Sequence, residues 1–320
     1  MKYAARRLVH AGLLLLAISF LCFALAQIAP GDFFDAMRLN PRISSQTIDH
    51  IRSEYGMDQP LLVRYDRWLH SIFEGQMGFS FAYNGPVWPL LRVRARNTLV
   101  LTGTSTILAW LVAIPIGVWS AEKRGTRGDR LVGLATSTIL TVPDLLIFLA
   151  LLLLAVRTGW FPTGGMESLG AAGMSFWDRI GDGARHLFLP ALGLSIVTLP
   201  TLLRHVRSAM VETLESPFMR AARGHGIPRA RLLYRYALPA AMNPLLSLFG
   251  LSVGAMLSAS LLAEVVLSWP GLGPLLLEAI LSRDIYIVTG AVMLSSVFLV
   301  AGNLLADFLI FASDPRIRVE

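Results

Sequence analysis

The 320 residues are 54% apolar and only 15% charged, with a mean hydropathy of +0.59. That composition excludes an ordinary soluble enzyme and a disordered chain, and points to a membrane protein. The net charge of +7 does not indicate nucleic-acid binding, because the basic residues sit between apolar blocks and leave no soluble basic face with interleaved aromatics.

Six apolar blocks are each about as long as the ~20 residues a helix needs to cross the hydrocarbon core. They predict spans at 9–29, 98–120, 131–156, 187–203, 244–262 and 287–311. Lys2, Arg6 and Arg7 before the first block resemble the start of a signal peptide. Its apolar run is too long, however, and lacks a small-x-small cleavage site, so an uncleaved helix is expected. Cys22, the only cysteine, lies in this span and reads as a small hydrophobe.

The segment 30–95 is expected outside. From Pro60 the text PLLVRYDRWLHSIFEG puts Leu61, Tyr65, Trp68, Leu69, Ile72 and Phe73 on one helical face, with Arg64, Asp66 and Arg67 mostly off it. That face needs a cover, and periodicity leaves open the membrane surface, a small cap or a partner. Asp144, beside Pro143, falls within the third span, and Asp307 near the inner end of the sixth. Intramembrane carboxylates mark ion or proton paths, but neither has a second acid one or two turns away, which favours a helix terminus, backbone donor or arginine as its partner. The fourth span is short and carries Pro190 and Pro200. Gly250, Ser252, Gly254, Ser258 and Ser260 give the fifth a small, mildly polar character that favours close helix packing over substrate binding. Trp119, Trp160 and Trp269 fall at span ends, where aromatic side chains suit the interface.

With the N-terminus inside, the inner segments are the N-terminus, 121–130, 204–239 and the tail. The loop 204–239 carries seven arginines against Glu212 and Glu215. The long first outer loop is nearly balanced by its acids and counts least in the positive-inside rule.

Several chemistries are excluded. Lys2 and Lys123 are the only lysines and neither ends a Gly-rich loop, so the chain carries no Walker ATPase site. The six histidines form no HExxH pair and have no cysteine cluster beside them, so no metal site is expected. No catalytic residue is assigned. A secondary carrier would need paired intramembrane charges and a symmetry-related repeat, neither of which is evident.

The basic inner loop reads FMRAARGHGIPRARLLYRYALPAAMNP. Ser216-Pro217 predicts a helix start, and Gly224 and Gly226 a left-handed stop. A second short helix follows Pro228, with Leu232, Leu233, Tyr236 and Ala237 on one face before Pro239 ends or kinks it. These features alone leave open a docking knob or a merely basic linker.

This loop resembles that of permeases of ABC importers, whose pattern is Glu-Ala-Ala, three residues, Gly, nine residues, an aliphatic residue, any residue, Leu-Pro. Here Ala221-Ala222, Gly226 and Leu238-Pro239 keep the spacing, with Arg220 at the Glu position and Tyr236 at the aliphatic one. Phe218-Met219-Arg220-Ala221 is similar to the dipeptide and oligopeptide branch. So are Ala29-Pro30-Gly31-Asp32, Gly56-Met57-Asp58-Gln59-Pro60, Arg96-Asn97-Thr98-Leu99, Gly159-Trp160-Phe161-Pro162, Ser268-Trp269-Pro270-Gly271-Leu272-Gly273 and Asp314-Pro315-Arg316-Ile317-Arg318. Pro228 and Gly224-His225 depart from the branch pattern.

The resemblance implies an all-α integral membrane protein of six transmembrane helices with the type I ABC importer fold. The expected divisions are 1–29 (first helix), 30–95 (extracytoplasmic segment), 96–312 (core, with coupling loop 204–239) and 313–320 (cytoplasmic tail). The chain would be half of a path for di- or oligopeptides in a bacterial or archaeal plasma membrane, with both termini cytoplasmic. Its partners would be a second, homologous permease, two ATPase subunits holding ATP and Mg, and an extracytoplasmic solute-binding protein. Nickel, glutathione or another small solute are the alternative cargoes. Phe218, Arg220, Ala221, Ala222, Gly226, Leu238 and Pro239 are the implied ATPase-docking residues. Gly250, Gly254 and Ser258 are candidates for the path or for helix packing.

Overall fold

The computed structural model describes residues 2–28, 33–38 and 44–313. The motifs at 29–32 and 314–318 and the tail expected at 313–320 lie outside the described residues, apart from Ser313. In chain order the elements begin with α1 (Lys2–Ile28), α2 (Phe33–Arg38), α3 (Ser45–Glu54) and α4 (Leu61–Phe73). A hairpin of β1 (Phe79–Ser80) and β2 (Gly85–Pro86) follows, then α5 (Val87–Glu122), α6 (Arg127–Thr141), α7 (Asp144–Thr158) and α8 (Phe176–Glu215). The loop region holds α9 (Pro217–Gly224), α10 (Arg229–Arg231), a π-helical stretch Leu232–Ala237 and α11 (Leu238–Ala240). The chain continues through α12 (Met242–Val266), α13 (Leu272–Leu281) and α14 (Ile285–Ser313). Among the described residues five helices are long and apolar enough to cross a membrane, and the bent pair α6 and α7 passes the same test when taken together as a sixth, broken span.

Two predicted spans take a different form. The third is bent by 95°. Val142 adopts an extended conformation (φ −85°, ψ 124°) and Pro143 stands at the N-cap of α7. The proline ring disfavours the helical region for the residue before it, so the helix stops at Thr141. Asp144 thereby becomes an exposed first-turn residue at the positive end of α7, not a mid-span acid. The fourth span, expected to be short, is the longest helix, at 40 residues. Pro190 and Pro200 are both inside it and buried. Each removes an amide hydrogen, but packing around them holds the helix together. Close approach to α7 depends on Gly193: a β-carbon there would lie 2.9 Å from Leu151 and 3.0 Å from Phe148.

The chain groups into two compact units, Met1–Thr98 with Pro270–Val300 and Leu99–Trp269 with Ala301–Glu320. In the first unit, α4 packs on α1. Tyr65 lies edge-on to Phe20 and Phe23, with centroids 5.3 and 5.8 Å away, and its hydroxyl is 2.8 Å from that of buried Ser19. This supplies the cover that periodicity left open. The covered face is shifted from the expected one: Arg64 is buried and Phe73 is exposed. Arg64 lies over the Phe23 ring (5.7 Å) and donates to the Met57 sulfur. The Gly56-Met57-Asp58-Gln59-Pro60 turn is held further by Arg67, which donates to Gln59 Oε1 at 2.7 Å.

A second cluster in this unit joins Val87, Leu91 and Ala95 of α5 to Leu272, Leu275 and Ala279 of α13 and to Ile287 and Ala291 of α14. Asp284 fastens the hairpin by accepting from Ser80 Oγ (2.7 Å) and Ala82 N, and it caps α14 through Ile287 N. Tyr83 bonds Glu278. Burial, with that carboxylate beside it, pushes the Tyr83 phenol up to about 12. Asn97 donates to the Pro270 carbonyl at 2.7 Å, and Thr98 accepts from Leu272 N at 2.8 Å.

The core of the second unit centres on α8, with Leu194, Leu202, Val206 and Met210 against Phe148 of α7 and Met256 of α12. Trp269, expected at the interface, is buried there. Ser268 adopts φ +51°, and the Trp269 amide bonds back to the Glu264 carbonyl at 2.9 Å, which turns the indole inward. Trp119 and Trp160 are exposed.

Candidate functional site: the inner end of the second unit

The expected coupling loop starts later than predicted, because 204–215 is the end of α8. Ser216 is a single extended residue between two helices (φ −64°, ψ 152°). Pro217 occupies the first turn of α9, where its missing amide hydrogen costs nothing. Ser216 stands at the N-cap of α9 but does not cap it with its side chain; its hydroxyl donates to the Thr213 carbonyl at 2.6 Å and closes the helix behind it.

Met219 is fully buried in the cluster that also holds Leu214, Leu232, Leu233 and Ala237, and Ala222, one turn on, is half-buried against it. Phe218, Arg220 and Ala221 are exposed. Met219 thus anchors α9, while Phe218 and Ala221 present a small apolar face to solvent. The left-handed stop is made by Gly226 alone (φ +71°); Gly224 remains helical. Nothing lies within 4 Å of where a Gly226 β-carbon would be, so glycine is needed there for its backbone angle, not for space.

Pro239 does not end the second helix. The stretch Leu232–Ala237 widens to π-helical, and the chain runs through the proline to Ala241 before α12 begins. The wider turn relieves the clash that a proline ring makes with the carbonyl four residues back. Leu232, Leu233 and Ala237 face inward as expected, whereas Tyr236 is exposed; Leu238 is half-buried and Pro239 exposed.

The loop is tied to the turn between α5 and α6 by ion pairs of Arg229 with Glu122 and of Arg124 with Glu215. These line a cleft of about 490 Å³ with Arg223, Ile227 and Leu232. Beside it, buried Asp129 receives Arg207 through two bonds of 2.7 and 2.8 Å, Ser120 Oγ at 2.6 Å and Gly125 N at 2.9 Å. One carboxylate therefore joins the end of α5, the turn, the start of α6 and α8. Thr126 followed three residues later by Asp129 has the spacing of a capping box, a sequence signal for Asp129; Met219 belongs to the Phe218–Ala221 motif, but nothing in that motif marks it as the buried anchor.

Of the other candidates, Gly250 is buried where a β-carbon would meet Ala306 at 2.8 Å and Asn303 at 3.2 Å, Gly254 is half-buried and Ser258 is exposed. Among the described residues no group of three or more His, Cys, Asp or Glu is placed to hold a metal.

Residues 113–319 match the family described as binding-protein-dependent transport system inner membrane component, and residues 1–102 match its N-terminal companion. The chain belongs to this family of transport permeases. It is 35% identical over 318 residues to the oligopeptide transport system permease protein AppB of Bacillus subtilis (strain 168), covering 99% of each chain. It is 33% identical to the dipeptide transport system permease protein DppB of Escherichia coli (strain K12), covering 95% of this chain and 94% of the relative. With the oligopeptide transport system permease protein OppB of Mycobacterium tuberculosis (strain ATCC 25618 / H37Rv) it shares 31% over 325 residues, covering 100% and 99%. An inward-facing structure of the MetNI methionine ABC transporter has the same fold at a TM-score of 0.59 and 16% identity, covering 70% of this permease and 96% of that chain. The permease is an ABC importer component with the expected all-α type I fold, and the Ala221-Ala222 to Leu238-Pro239 motif sits on the bent two-helix loop of its second unit.

Proposed function

We propose that this permease passes di- or oligopeptides inward as half of a path completed by a second permease, and that α9 is its contact with a separate ATPase. The solute would be delivered by an extracytoplasmic binding protein, with ATP and Mg held by the ATPase subunits. Both termini, and the loop with them, lie on the cytoplasmic side in this reading, as the excess of arginine in 204–239 favours.

The observation that carries the ATPase contact is the division of α9 into an anchored face, Met219 and Ala222, and an open one, Phe218 and Ala221. A short helix is marginal alone in water. Anchored on one side and apolar on the other, it can receive a push and pass it to α8. Small Ala221 permits close approach, and a larger charged side chain there would be desolvated without a partner. Peptide as cargo is supported by the oligopeptide and dipeptide transport permeases that align over nearly the whole chain.

The test is uptake of a labelled dipeptide and of a labelled oligopeptide by cells carrying the full transporter. Ala221→Glu is expected to reduce uptake at least tenfold, since losing about 1.4 kcal/mol of coupling costs that factor, while the variant inserts in normal amount. Undiminished uptake would remove the docking assignment; a wild-type transporter that takes up neither peptide would remove the cargo.

A further inference from the structure

A second basic site lies between α6 and α8, separate from the docking loop. A pocket of about 360 Å³ has Asp129, Arg130, Ser137, Arg204 and Arg207 in its lining, and four observations define its chemistry. Arg207 is committed to Asp129, whose two oxygens also receive Ser120 and Gly125. Arg130 and Arg204 have no carboxylate within ion-pair distance among the described residues; Arg204 donates only to the Ser137 hydroxyl, at 3.0 Å. Both are exposed. With three arginines against one acid, the pocket is cationic.

Depth and surroundings narrow the ligand. Arg130 and Arg204 each stand one residue beyond the apolar spans 131–156 and 187–203, at the ends that the arginine distribution places inside. Along α6 from the pocket, Leu131 and Leu134, three residues apart and so on one side of the helix, are each 65% exposed. These leucines form an apolar track leading from a cationic cup at headgroup depth toward the bilayer interior. A soluble anion would use the cup and have no use for the track; an anionic phospholipid would use both.

We propose that Arg130 and Arg204, with Ser137, bind the phosphodiester headgroup of an anionic inner-leaflet lipid, whose acyl chain lies along Leu131 and Leu134. The inner-leaflet assignment rests on the orientation given above; headgroup binding does not depend on the cargo or on ATPase docking. A lipid held there would brace the α6–α8 junction beside the Asp129 cluster.

Native mass spectrometry of the full chain in detergent, given equal phosphatidylglycerol and phosphatidylcholine, tests this. Phosphatidylglycerol adducts are expected to predominate in the wild type. Each arginine near an anionic group contributes roughly a fivefold preference, so Arg130→Gln with Arg204→Gln should lower the excess about twenty-five-fold. Arg157→Gln should leave it unchanged, and the Lys-for-Arg pair should largely keep it. Equal adducts of the two lipids in the wild type would overturn the proposal, as would an unchanged preference in a glutamine pair that retains its helical circular dichroism. If the glutamine pair does not fold, the wild-type comparison and the lysine pair decide. Glycerol phosphate is the free-anion arm: complete displacement of phosphatidylglycerol at equal concentration would make the site one for soluble phosphate and overturn the lipid assignment.

Discussion

Gly226 and Gly224 are two residues apart yet have opposite requirements. Gly226 lies at φ +71° in open space, so any β-carbon there is strained by its backbone alone, by roughly 1–2 kcal/mol. Gly224 is helical, also in open space, and alanine there should stabilise α9 by up to about 1 kcal/mol. Gly226→Val is therefore expected to lower uptake and to raise proteolytic cleavage within 224–231, while Gly224→Ala lowers cleavage. Equal cleavage of the two variants would show that the turn does not depend on the left-handed angle. The sequence carried the turn but not which glycine made it, because both residues satisfy the same C-terminal rule. The same ambiguity applies to Ser216: a hydroxyl between two helices has the carbonyl-rich end of one and the amide-rich start of the other within reach, and only the geometry shows that it closes α8.

The α12 boundaries lie within four residues of the apolar run at 244–262, whereas α1 begins seven residues before its run, continuing through Arg7 and Arg6 to Lys2. Other boundaries failed where prolines lay inside an apolar block. Pro143 breaks its helix, Pro190 and Pro200 do not, and Pro239 is absorbed by a π-helical turn. Burial alone does not separate these cases: both α8 prolines are buried and Pro143 is exposed, but exposed Pro115 leaves α5 unbroken. If Pro143 holds the bend by restricting Val142, then Pro143→Ala should let α6 and α7 align. Spin labels at the outer ends of α6 and α7, about 30 Å apart across a right-angled pair of 15-residue helices, should move toward about 45 Å at 1.5 Å per residue. An unchanged distance would assign the bend to packing. The outer helix α4 shows the other limit of periodicity: an arginine lies on its covered face because an aromatic ring and a thioether accept it, and no hydrophobicity pattern represents that pairing.

The whole molecule reads as a membrane protein from composition alone, and as a transport permease only from its resemblance in motifs spread along the chain. Neither source shows that two helices far exceed the bilayer. By rise per residue α5 is about 54 Å long and α8 about 60 Å, against a core of about 30 Å. Their ends must project into water, which lets α8 carry the loop clear of the headgroups. In a Cys22→Ser background, a cysteine at Tyr83 should react with a membrane-impermeant maleimide on intact spheroplasts. One at His225 should react only after permeabilisation. The reverse pattern would invert the orientation and place the docking loop outside.

The position of Ser216 at the tip of that long helix also sets a mechanical ratio. A rigid arm of about 60 Å turned by a 2 Å displacement at its end rotates only about 2°. The arm is not uniform, because Pro200 and Pro190 lie 16 and 26 residues before Ser216. Bending at Pro200 shortens the working length to about 24 Å and raises the rotation from the same displacement to about 5°. Were α8 to flex at Pro200, the larger swing would thus be confined to the part nearest the loop, whereas an unbent α8 carries the smaller rotation along its whole length.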